Sequence, residues 1–75
     1  MTNNSFIRCE EVIFSSDLKE FKLTFKEMPK SVFVQLYDKV GNLKSHCFKD
    51  NVISPITKTA LLKKGDILKY IAVFD

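Results

Sequence analysis

The chain has no tryptophan, two glycines, two prolines, two cysteines, one histidine and a single arginine, Arg8. Each scarcity removes a class of function. With Gly41 and Gly65 the only glycines, no glycine-rich loop can cradle a phosphate. His46 with the two isolated cysteines, Cys9 and Cys47, falls short of the closely paired ligands of a structural zinc site. One guanidinium leaves little capacity for bidentate recognition of bases or phosphates. No stretch approaches the roughly 18 consecutive apolar residues of a transmembrane helix. Residues 1–5 lack the basic and apolar segments of a secretory signal, so they read as a flexible N-terminal segment of a cytoplasmic protein. In that compartment Cys9 and Cys47 are expected as free, buried thiols.

What the chain does contain is apolar. Hydrophobic residues make up 45% of the 75 positions and include seven Phe. That suffices for one compact core and argues against disorder. A chain this short buries only about 60% of its unfolded surface, so a single domain over 1–75 is the expectation. The formal net charge of +3 sets eleven Lys and Arg8 against nine acidic residues, with no run of three like charges. Lysines spread so thinly mark solvated strand faces rather than a nucleic-acid footprint.

Along the chain the apolar pattern has the two-residue period of strands. Ile7 and Cys9 alternate, but Val12 and Phe14 continue in the opposite phase, which predicts a β-bulge at Glu10–Glu11. Residues 18–28 fit two templates. Phe21, Leu23 and Phe25 alternate as in a strand, while Leu18, Phe21, Phe25 and Met28 form a helical stripe with Asp17 and Glu20 spaced as a capping box. Residue type favours the strand. Residues 32–38 form the clearest strand, with Val32, Val34 and Leu36 on one face and Phe33, Gln35 and Tyr37 on the other.

Residues 38–42 make a hairpin turn, and 43–48 return antiparallel. Asp38 and Gly41 suggest a type I turn followed by a glycine bulge, a three-residue loop. Matching faces instead requires a four-residue loop, with Val34 opposite Cys47 and Phe33 opposite Phe48, and burial favours that register. Pro55 makes 52–62 an edge strand or breaks it in two. Residues 67–74, apolar except for Lys69, read as a central strand covered on both faces. About five to seven such strands predict an all-β chain, with an immunoglobulin-like antiparallel sandwich as the first choice. A small SH3-like or OB-like barrel, or an α+β fold with a short helix near 17–28, are the alternatives.

Chemistry is sparse. His46 and Cys47 are neighbours on one strand and point to opposite faces, which denies them a catalytic dyad. Glu10 and Glu11 face apart for the same reason. Asp17, Asp38, Asp50 and Asp66 occur in turns without the alternating spacing of a calcium loop, and turn chemistry accounts for them. No enzyme activity, cofactor, metal or small-molecule substrate is therefore expected. One surface stands out, the outward face of the central hairpin, where Phe33, Gln35 and Tyr37 would lie beside Lys44, His46 and Phe48. Exposed aromatics of this kind favour a protein partner, either a larger protein or a second copy joined at a sheet edge. The alternative is a single-stranded nucleic-acid binder in which Phe33, Tyr37 and Phe48 stack bases and Lys44 and Lys49 neutralise phosphates.

Overall fold

A computed structural model describes residues 6–57 and 59–75; the segment 1–5, expected to be flexible, lies outside the described residues. Seven strands follow one another: β1 (Phe6–Ile13), β2 (Phe21–Lys22), β3 (Ser31–Tyr37), β4 (Leu43–Lys44), β5 (Cys47–Lys49), β6 (Val52–Ser54) and β7 (Ile67–Phe74). They form a four-stranded sheet in the order β1-β7-β3-β4 and a three-stranded sheet in the order β2-β6-β5. Every pairing is antiparallel. This is the expected small all-β sandwich, with two open sheets in place of a closed barrel. Residues 17–28 contain no helix. Asp17 caps nothing there; its carboxylate accepts the Lys64 backbone N–H.

The core lies between the sheets. Leu36 and Leu68 from the larger sheet meet Ile53 from the smaller one and Leu62 from the segment after it, all four essentially inaccessible. Burying each such side chain stabilises the fold by about 1.5–3 kcal/mol. Phe25 packs edge-on against both Tyr70 and Phe74. Among the described residues no helix is long and apolar enough to cross a membrane.

Several local expectations are corrected. β1 pairs with β7 in one unbroken register from Phe6↔Phe74 to Ile13↔Ile67, so Glu10–Glu11 carries no bulge. The apparent phase switch has another cause: Phe6 and Val12 lie on the core-facing side of β1 and Ile7, Cys9 and Ile13 on the other. Residues 18–28 are extended only briefly, as β2 and a single bridge between Leu18 and Leu62. β6 ends before Pro55 and sits in the middle of its sheet, so 52–62 is broken rather than an edge.

The hairpin loop has three residues. Gly41 N–H donates to the Asp38 carbonyl at 3.0 Å and Asp38 N–H to the Asn42 carbonyl at 2.8 Å. Gly41 adopts φ +98°, which glycine tolerates and other residues do not. The Asp38 carboxylate accepts the N–H groups of Val40 and Asn42, and the Asn42 bond is the main reason its acidity is raised, its pKa lying below the usual value. Turn chemistry thus sets a register in which Leu36 faces Lys44 and Tyr37 faces Leu43. The face-matched four-residue loop fails because the returning strand stops at Lys44; Cys47 and Phe48 cross into the second sheet, where they pair with Ser54 and Ile53. Asp50 and Asn51, at φ 53° and 64°, close that hairpin as a two-residue turn.

Candidate interaction surface

The registers of the larger sheet place its side chains in rows. On the side away from the core, Cys9, Ile71 and Phe33 share one row, Glu11, Lys69 and Gln35 the next, and Ile13, Ile67, Tyr37 and Leu43 the one beyond. Ile7 and Val73 continue the face at the other end. Ile7, Ile13, Phe33 and Leu43 are each more than 60% exposed, and Ile71, on the central strand, is 43% exposed. Of the nine exposed large hydrophobic side chains among the described residues, these five occupy this one face. The remaining four, Phe6, Met28, Val40 and Ile56, lie elsewhere. β7 is central, as its composition predicts, but only its core-facing side is covered.

Polar groups cross the face between the two apolar ends. Tyr37 hydroxyl donates to the Gln35 side-chain carbonyl, and the Lys69 ammonium sits 5.2 Å from the centre of the Tyr37 ring. These contacts hold the aromatic ring and the cation in fixed relation.

Of the six residues expected to form the site, Phe33, Gln35 and Tyr37 lie together on this face. Lys44 and Phe48 do not. Lys44 faces the interior, bound to the buried Asp66 carboxylate, and Phe48 packs against the core. The three-residue loop and the early end of β4 turn both away. His46 lies between β4 and β5, with Nδ1 3.2 Å from the Lys44 carbonyl oxygen. Ile7, Ile13 and Ile71 escape a reading along the sequence because only the long-range pairing of β1, β7 and β3 brings them to the face, and Leu43 because the expected four-residue loop turns it inward, whereas the observed hairpin sets it beside Tyr37. The available signal is the apolar character of β7, broken only by Lys69, which calls for cover on both sides.

An open cleft of about 830 Å³ runs across the same three strands, bordered by residues 9–11, 69–71 and 32–35, with His46 and Phe48 at its β3 end. Cys9 and His46 border it from opposite ends. Cys9 lies on β1 and His46 follows β4 at the opposite edge of the sheet, with β7 and β3 between, and the His46 ring nitrogen Nδ1 lies on the Lys44 carbonyl, not on a thiol. Tyr70 hydroxyl donates to Glu10 at this level, and burial first, then the Glu10 carboxylate, push the phenol up to about 12. Both cysteines are free, and both are exposed, against the expectation of burial. They lie on strands whose neighbouring side chains face the core in their place. Comparison with protein families, with characterised proteins and with solved structures finds no match.

Proposed function

We propose that this chain is a non-catalytic protein-binding module that engages a larger protein through the outer face of its four-stranded sheet. The observation that carries the reading is the concentration of Ile7, Ile13, Phe33, Leu43 and Ile71 on one face. Apolar patches of that kind on small proteins mark association surfaces, and aromatic anchors such as Phe33 and Tyr37 supply much of the energy at them. A central strand built for cover on both sides supports the same conclusion. The partner surface it fits is apolar at both ends and polar across the middle, opposite Glu11, Lys69 and Gln35.

Nucleic-acid binding is less well supported. It requires lysines beside the stacking rings, but Lys44 is engaged by Asp66 and Phe48 by the core, leaving Lys69 as the cation on the face. Exposed thiols at Cys9 and Cys47 suit a reducing compartment, and we place the protein in the cytoplasm on that basis.

The test is capture from native lysate with the wild-type chain and with Phe33→Lys, each with and without nuclease. A defined protein retained by the wild type, insensitive to nuclease and lost with Phe33→Lys, is the expected result. Equal capture by both chains, or material that disappears with nuclease, would overturn the reading. Phe33 is largely exposed, so the substitution should leave stability within about 0.5 kcal/mol, checked by urea unfolding.

A further inference from the structure

We propose that β1 is the joining edge of a symmetric dimer, pairing antiparallel with β1 of a second copy about a two-fold axis at Cys9, so that Arg8 of each copy lies opposite Glu10 of the other. This deepens the protein-binding reading by naming a second copy, on a surface separate from the outer face.

The four sheet edges are not alike. Among the described residues, β4 and β2 offer two residues each and β5 three, whereas β1 offers eight, bonded to β7 on one side only. Long edges are normally blunted by proline, by charged side chains or by a bulge. β1 has no proline, no lysine and an unbroken register; its charges are Arg8, Glu10 and Glu11, and they block the edge only in registers that set like charges opposite each other. Phe14 N–H donates to the Asp66 carbonyl at 3.0 Å, in register with the β1–β7 ladder. The even-numbered residues of β1 therefore bond to β7, and the N–H and C=O groups of Ile7, Cys9, Glu11 and Ile13 point to the open edge. These are the groups a further strand would pair with.

Charge selects the register. A two-fold axis normal to the sheet keeps the core-facing sides of both copies on one side, which requires one residue to face its own copy. Centring on Arg8, Glu10 or Glu11 sets like charges directly opposite, which is destabilising. Centres nearer either end of β1 leave only about three paired residues on each copy. Centring on Cys9 sets Arg8 opposite Glu10 and Phe6 opposite Val12, each twice, and places no like charges together. Arg8 and Glu10 are already held on the core-facing side, Arg8 over the Phe74 ring at 5.6 Å and Glu10 by the Tyr70 hydroxyl, with both residues exposed. The dimer joins two four-stranded sheets into one of eight strands, and the two outer faces become continuous.

The experiment is sedimentation of the full chain over a range of concentrations, for wild type, Arg8→Glu, Glu10→Arg and the double exchange. The wild type should dimerise; each single exchange should raise the dimer dissociation constant about tenfold or more, and the double exchange should restore it. Thermal melts separate lost pairing from lost folding. In parallel, diamide oxidises two adjacent thiols to a disulfide and is itself reduced to the hydrazine. It should link Cys47→Ser dimers through Cys9 and leave Cys9→Ser unlinked. A wild-type chain monomeric throughout overturns the proposal, as does a dimer indifferent to Arg8→Glu but abolished by Phe33→Lys, which would be packed face to face. A wild-type chain that stays monomeric while capture by the outer face persists would sink this inference alone.

Discussion

Lys44 and Asp66, 22 residues apart in the chain, form an ion pair beneath the larger sheet in which the Asp66 side chain is almost wholly buried and the Lys44 side chain 28% exposed. The same carboxylate oxygen accepts the Lys63 backbone N–H at 2.9 Å, which ties the turn before β7 to the end of β4. Removing one partner leaves a buried charge with a single neutral donor, and that is costlier than losing the pair. Lys44→Ala should destabilise the fold by about 2–3 kcal/mol. Adding Asp66→Asn should recover part of that loss, because the amide keeps an acceptor for Lys63 without the charge. Urea unfolding of the two single variants and the double variant measures the coupling; simple additivity would mean the pair contributes nothing as a unit.

The Tyr70 phenol gives stability a pH dependence whose sign can be worked out. Its pKa is raised from 10.0 to about 12 by burial and by the Glu10 carboxylate, so the folded chain keeps a proton that the unfolded chain has lost between those values. The contribution is complete below pH 10.0 and disappears as pH rises through about 12. Tyr70→Phe should cost about 1 kcal/mol at neutral pH, the worth of one hydrogen bond. That difference from wild type should shrink above pH 10.0, and lysine titration, common to both chains, cancels in the comparison. A constant difference across the range would remove Glu10 and burial as the cause.

How much of this was legible in the sequence depends on how far apart the deciding residues are. The alternation of Val32, Val34 and Leu36 against Phe33, Gln35 and Tyr37 identified β3 and half of the candidate face, because a strand's two sides are a local property. The turn is legible too: Asp38 and Gly41 specify the three-residue loop, and turn chemistry prevails over face matching. Face matching needs one continuous strand after the turn, but the chain leaves the sheet at Ser45–His46. β1 departs from its expected bulge for a related reason. Apolar residues on both of its faces imply a bulge only if a single face has cover, and here the uncovered face is apolar as well. Ile7 and Ile71 join the site through pairings between strands more than 20 residues apart, which no local pattern encodes, whereas Leu43 joins it through the hairpin pair with Tyr37 that the three-residue loop sets.

The two glycines should respond unequally to alanine, and the difference tests how the end of the larger sheet is closed. Both have positive φ, +98° at Gly41 and +91° at Gly65, so each substitution carries backbone strain of about 1 kcal/mol. At Gly41 a Cβ would enter open space, and the cost ends there. At Gly65 it would lie 3.3 Å from the Lys39 Cβ, so the hairpin loop must yield. Gly65 N–H also donates to the Phe14 carbonyl at 2.8 Å, beside the Phe14-to-Asp66 bond that ends the β1–β7 ladder. Displacing Gly65 therefore loosens the base of β1 as well as the turn. Gly65→Ala should cost about 2 kcal/mol against about 1 for Gly41→Ala, seen as urea midpoints shifted at constant slope. Trimming Lys39 to glycine should narrow the gap if contact is the cause, because it removes the opposing Cβ; an unchanged gap would assign the excess to backbone strain at Gly65.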